Sequence, residues 1–176
     1  ARFGRGDAAT LVWTKGVGWL GESCSPSCFP SQGRALHAAV CFDDGVIVTT
    51  GGTTGRGDVY KTAANQAANA IALWPVSQST FTYREGHAIA RVPGNPDAFL
   101  VVGGTPQFSG LNDALLTQDR GTTFVAMSNA VFTSKRLGSA LVALGPATFV
   151  AYGGMIGGFQ LTFYNEVRQS TDSGAT

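Results

Sequence analysis

Charge is what this chain has least of. Asp, Glu, Lys and Arg make up 13% of its 176 residues, about half the ~25% usual in soluble domains. The net charge is +1, and the basic residues are dispersed, which leaves no electrostatic footprint for nucleic acid or an anionic membrane surface. No apolar run approaches the ~18 residues of a membrane-spanning helix, so membrane insertion is not expected either. Ala1 to Asp7 lacks the apolar stretch of a signal peptide. No Asn-X-Ser/Thr triplet occurs, so N-linked glycosylation is not predicted, while Ser/Thr-rich loops leave O-linked sugars open.

Cysteine is also scarce, with three in the chain. Cys24 and Cys28 bracket Ser-Pro-Ser, a loop short enough for a local disulfide. The competing reading, half of a metal site, lacks a nearby His and a second Cys pair to complete four ligands. A disulfide is therefore expected, and no metal. Such a bridge would belong to an oxidising environment, extracellular or at the cell surface. Cys41, inside the apolar run AAVCF, is expected as a buried thiol.

Glycine, by contrast, is abundant: 24 residues, roughly twice the ~7% average share. The hydrophobic fraction of 44% argues against disorder. The glycines fall in register. Gly51-Gly52, Gly103-Gly104 and Gly153-Gly154 each end an apolar run, at intervals of 52 and 50. Upstream of each lies another apolar run introduced by Arg34, Arg84 or Arg136, with Phe29, Phe81 or Phe132 shortly before the Arg. Downstream come a loop and a third run, starting at Asp58, Asn112 and Asn165.

The third runs lead into TQDRGTTF (Thr117 to Phe124) and STDSGAT (Ser170 to Thr176), which share the pattern [S/T]xDxGxT. A hydroxyl and the carboxylate of Asp119 or Asp172 can bond turn amides, while Gly121 or Gly174 takes the backbone conformation that a Cβ penalises. Both stretches read as hairpin tips with structural roles. A degenerate tip runs from Thr62 to Trp74, and LVWTKGVGW from Leu11 looks like the same element.

No run has a helical period. The chain is predicted to be all-β, one β-propeller domain over 1–176 with four antiparallel strands per blade. Cut at the tips, the blades are 20–69, 70–124 and 125–176, with 1–19 as the end of a preceding blade. The first two strands of each blade read as covered on both faces. Three blades make an incomplete ring, since propellers close with four to eight. Either the polypeptide continues beyond Thr176, with Trp or Phe expected within two residues, or copies associate through blade edges as a homo-oligomer or fibre; continuation is preferred.

The stretches RALHAAVCFDDGVIVTTGG and REGHAIARVPGNPDAFLVVGG resemble kelch repeats, and the tips resemble the Asp-box hairpins of sialidase-like propellers. In the third copy Ser139 stands where His37 and His87 stand in the others. The resemblance implies that Arg34, Arg84 and Arg136 serve hydrogen bonding between blades. The alternative, arginines converging to grip a carboxylate as in sialidases, also needs a Tyr nucleophile with acidic partners. None of Tyr60, Tyr83, Tyr152 or Tyr164 stands in such a signature, and Cys41 in a core strand fits copper-radical chemistry badly. His37 and His87, 50 residues apart in equivalent places, read as packing residues rather than ligands, so no cofactor and no catalytic residue is expected.

Arg5-Gly6-Asp7 and Arg56-Gly57-Asp58 spell an adhesion tripeptide, but such matches arise readily in Gly-rich chains. The loops after the Gly pairs are the expected binding elements, with Arg56, Phe108 and Phe159 as candidate contacts to a protein or glycan. The functional expectation is a non-catalytic extracellular structural or binding scaffold. Two competitors are a fragment of a carbohydrate-active sialidase-like enzyme and a self-assembling subunit of an extracellular fibre.

Overall fold

The computed structural model describes residues 9–14, 18–23, 35–53, 57–63, 73–106, 110–156 and 161–176. Every regular element among them is a strand. β1 (Ala9–Thr14) and β2 (Gly18–Ser23) pair antiparallel as a hairpin. The first sheet holds β3 (Ala38–Cys41), β4 (Ile47–Thr50), β5 (Val59–Thr62) and β6 (Leu73–Pro75) in that order. The second holds β7 (Ala88–Arg91), β8 (Phe99–Val102), β9 (Ala114–Thr117) and β10 (Val125–Ser128), again as a meander. In the last third of the chain lie β11 (Ala140–Ala143), β12 (Phe149–Tyr152), β13 (Met155–Ile156), β14 (Thr162–Phe163) and β15 (Val167–Ser170). Of these, β11, β12 and β15 form the third sheet, and β13 pairs with β14 as a small separate ribbon.

Successive antiparallel meanders of this kind are β-propeller blades. The described residues do not close a ring. Each of the first two sheets ends one strand later than a cut at the tips implies: β6 pairs with β5 and β10 with β9. The outgoing strand folds back on the strand that entered the tip, because hairpin closure is the shortest available pairing.

The core lies in two seams rather than one centre. Between the first and second sheets, Phe42, Val46, Val48 and Val59 meet Phe81, Phe99, Val101 and Leu115. Between the second and third, Leu100, Val102 and Ala114 meet Phe132, Phe149 and Ala151. β8 serves both seams, because alternate side chains of a strand point to opposite faces. All four of its residues are buried. The expectation that the first two strands of every unit are covered on both faces holds only for this strand. β3 and β11 alternate between half-buried and exposed, since among the described residues each flanking sheet has a neighbour on one side only.

The same geometry corrects the expectation for Cys41. Its thiol is free and exposed, because Val40 takes the seam side of β3 and Cys41 the opposite face. Cys24, Cys28 and the expected disulfide lie outside the described residues.

Main-chain bonds tie the sheets together near the Gly pairs. The Gly52 N–H donates to the Arg84 carbonyl at 3.0 Å, and the Gly104 N–H to the Arg136 carbonyl at 3.0 Å. Alongside them, Gly86 N–H donates to Leu36 at 2.8 Å and Gly138 N–H to Gly86 at 2.6 Å. Gly51 has φ +57°, and a Cβ there would lie 2.2 Å from the Arg84 carbonyl oxygen of the next unit. Glycine is what lets two sheets approach this closely.

Candidate functional site

The arginines that introduce the second and third units are fully buried. Arg84 forms a bidentate pair with Asp113, at 2.7 and 2.9 Å, and donates to the Gly103 carbonyl at 3.0 Å and the Thr82 carbonyl at 3.3 Å. Its guanidinium carbon also lies 5.4 Å from the centre of the Phe81 ring. Arg136 repeats the plan: it pairs with Glu166, donates to the Gly153 carbonyl at 3.1 Å, and lies between the rings of Phe132 and Tyr164, 4.2 Å from each centre. Burying such a cation is tolerable only with its donors matched this completely.

These side chains therefore bond within their own unit. The link between units is made by the arginine's carbonyl, a difference from the inter-blade role implied for the side chain. Arg34 lies outside the described residues. Burial works against charge on Glu166, but bonds from the Thr133 hydroxyl, Arg168, the Thr133 N–H and Arg136 outweigh it and hold the carboxyl down at about 2.

His87 is buried, with Nε2 2.7 Å from the Thr50 hydroxyl of the first sheet and its ring 5.6 Å from that of Phe81. Its Cβ lies 2.9 Å from where a Cβ on Gly104 would stand, as the His37 Cβ lies 3.0 Å from that of Gly52. In the third unit the Ser139 hydroxyl fills the equivalent place beside Gly154, at 2.5 Å. His37 is exposed and His87 is buried. Among the described residues no group of three or more His, Cys, Asp or Glu is placed to hold a metal.

The tips are built as hydrogen-bonded loops. In the second sheet the Thr117 hydroxyl lies 2.8 Å from Asp119 Oδ1 and accepts the Gly121 N–H at 3.0 Å. Asp119 Oδ1 accepts the N–H groups of Thr122 and Thr123 at 3.0 and 2.8 Å, and Oδ2 accepts the Thr123 hydroxyl at 2.6 Å. Ser170 and Asp172 reproduce the pattern, with the Gly174 N–H, Ala175 N–H and Thr176 N–H held at 2.8, 3.1 and 3.0 Å. Hydrogen bonds from the Thr176 and Ser170 hydroxyls hold the Asp172 carboxyl down at about 2.

No protein-family model matches this chain, and no curated protein matches it. One solved structure that it resembles is titled "Structure of YjhT". The TM-score is 0.62 at 14% identity, over 95% of this chain and 61% of that one. The likeness is one of fold, and the chain spans about three-fifths of that structure's length.

On the tip side of the molecule, charged groups bridge the first two sheets. Arg91 forms a bidentate pair with Asp43 at 2.6 and 2.8 Å, and Arg120 reaches both Asp44 and Asp97 at 2.6 Å. Arg56, Phe108 and Phe159 fall outside the described residues. Asp58, the last residue of the second adhesion-like tripeptide, accepts the Gly51 N–H on its main-chain carbonyl at 3.0 Å. Asp113 and Glu166 do the same for Gly103 and Gly153. The sequence reading missed these two acidic residues as arginine partners. The signal was present, as one acidic residue at the head of each third run, but it is offset by one position from the asparagines that drew the alignment.

Proposed function

We propose that this chain is a kelch-like, Asp-box-bearing propeller segment that acts as a non-catalytic extracellular binding scaffold for a protein or glycan. The observation that carries the reading is the bonding of Arg84 and Arg136. Each spends its guanidinium on a carboxylate and carbonyls of its own unit, at zero exposure. Arginines so placed hold the loops that follow the Gly pairs and are not offered to a ligand carboxylate. Binding then falls to the loops, with Arg56, Phe108 and Phe159 as the contacts.

The test pairs a glycan and protein-partner binding screen with a glycoside-hydrolysis assay. Alanine at Phe108, Phe159 or Arg56 should weaken the bound ligand at least about tenfold, the scale of one lost aromatic or charged contact, with unchanged melting. Turnover of a sialoside by the purified chain would overturn the non-catalytic reading.

The fibre reading has one observation of its own. The outer face of the third sheet shows Val142, Tyr152 and Val167 at 53%, 51% and 59% exposure. Mass measurement by light scattering over a concentration series separates it from the scaffold reading.

A further inference from the structure

At the tip end of the blades the two seams differ. The first is plugged by charge. Arg91 and Arg120 lay their guanidinium groups 5.3 and 4.9 Å from the centre of the Phe42 ring, and Asp43, Asp44 and Asp97 hold them there.

One repeat later each of these groups has a small or uncharged counterpart, and main-chain bonds fix the equivalence. The Arg120 N–H donates to the Asp97 carbonyl at 2.9 Å, as the Ser173 N–H does to the Ala147 carbonyl at 2.8 Å. The Phe42 N–H donates to the Val46 carbonyl at 2.8 Å, as the Val92 N–H does to the Ala98 carbonyl at 3.0 Å. Strand register pairs Arg91 with Phe99 and Ala143 with Phe149. Ser173, Ala147, Val92 and Ala143 thus stand for Arg120, Asp97, Phe42 and Arg91, while Pro93 and Gly94 follow Val92 as Asp43 and Asp44 follow Phe42. Where the first seam is filled, the second leaves a cleft of about 310 Å³ that borders the β7–β8 turn, Pro146 and Ser173.

The cleft is apolar along Val92, Ala98, Leu116 and Pro146, and no charged side chain lines it. Its polar groups are neutral. Asn95 spends its side-chain oxygen on the Asp97 N–H at 3.1 Å and keeps its NH2. The Gln118 amide and the Ser173 hydroxyl make no hydrogen bond among the described residues. Apolar walls with a few hydrogen-bonding groups are the make-up of small-molecule sites, and the volume lies at the lower end of their ~300–1,000 Å³ range. It suits one ring. An ionised ligand would find no counter-charge there, and a wholly apolar one would leave three polar side chains unbonded.

We propose that this cleft is a binding site for a single neutral hexopyranose unit. The C–H face of the sugar lies on Leu116 and Pro146, and its hydroxyls bond Asn95, Gln118 and Ser173. The site is separate from the contacts assigned above to Arg56, Phe108 and Phe159, and the inference does not rest on them.

The experiment titrates the 15N-labelled full chain with the methyl glycosides of glucose, galactose and mannose and follows the amide shifts. At least one should saturate with a Kd of order 1 mM, moving Asn95, Gln118 and Ser173. Ser173→Arg rebuilds the plug of the first seam. Arg120 occupies the same left-handed backbone, φ +56° against +62° at Ser173, and donates to the Pro96 carbonyl where the second seam has Pro146. That variant should weaken binding at least about tenfold with unchanged melting. Gln118→Ala removes a side chain with no bond of its own to lose and should weaken binding about three- to tenfold.

Phe108→Ala and Phe159→Ala should leave this binding intact. Loss in those two with retention in Ser173→Arg would place the sugar on the loops and overturn the assignment. So would the absence of a saturable shift with all three glycosides at concentrations well above the expected Kd. Cyclohexanol binding as tightly as the glycosides would show a merely apolar cleft. Tenfold tighter binding of glucuronate or glucosamine would remove the neutral class, and either result overturns the proposal.

Discussion

The hydroxyl of Thr50 in the first sheet lies 2.7 Å from Nε2 of His87 in the second. Burial, with lesser contributions from Arg84 and His37, pushes the His87 pKa down from 6.5 to about 3. In the unfolded chain the ring takes its proton near the ordinary value; in the fold it does not until about 3. The unfolded state therefore binds more protons across that window, and stability falls as pH drops from 6.5 towards 3, by up to ~1.4 kcal/mol per pH unit. Urea midpoints at pH 7 and pH 5 should differ more for the wild type than for His87→Gln. Identical pH slopes for the two would remove His87 from the account.

The buried pair Arg84–Asp113 makes a second case. Removing one partner leaves an uncompensated ion, so Arg84→Ala or Asp113→Ala should cost about 3–5 kcal/mol by chemical denaturation. Because the two groups share one set of bonds, the double variant should cost clearly less than the sum of the singles. Strict additivity would mean that the pair does not act as a unit.

Gly121 combines two constraints. Its φ is +89°, and a Cβ there would stand 2.8 Å from Cγ1 of Val59 across the seam. Gly121→Ala should destabilise by about 2–4 kcal/mol, backbone strain adding to overpacking. Asp119→Ala should also lower stability, through the turn amides it leaves unbonded. Binding by the loops on the opposite side should persist in both, and unchanged melting with lost binding would contradict the structural role of the tip.

The bond between Asp43 and Arg91 spans the same two sheets at the surface, with the Asp43 side chain 86% exposed. Solvent screens such a pair, so Asp43→Ala should leave the denaturation midpoint nearly unchanged. That small difference should shrink further in half-molar salt, of order 0.5 M. A larger, salt-insensitive loss would show that the pair is less open to solvent than its exposure indicates.

Cys41 gives a direct chemical readout of the first sheet's outer face. An exposed free thiol should react with a maleimide in native buffer at nearly its rate in denaturant. Protection until global unfolding would mean that the face is covered.

Much of this fold was legible because its signals are local. A Gly pair ends a strand, and a hydroxyl, an Asp and a Gly close a tip, all within eight residues of chain. The partners of Arg84 and Arg136 were not, because the loop between the Gly pair and the acidic residue at the head of the third run varies. Asp58 follows Gly52 by six residues, Asp113 follows Gly104 by nine and Glu166 follows Gly154 by twelve. Burial was misjudged for the opposite reason: AAVC and FLVV look alike as apolar runs, and only neighbouring sheets decide that β8 is enclosed and Cys41 is not. The β13–β14 ribbon went unforeseen, as two-residue strands carry no periodicity to read.

Each tip belongs to one sheet by its hydrogen bonds and to the seam ahead of it by its packing, as Gly121 against Val59 and Gly174 against Leu100 both show. The chemical repeat and the packing repeat are thus out of step along the chain. An in-frame duplication of one whole period, begun at any point, delivers a tip to a waiting seam and leaves a seam for the tip that follows. Growth or loss by whole periods therefore requires no new interface, whereas an insertion of half a period would strand a tip with nothing to close.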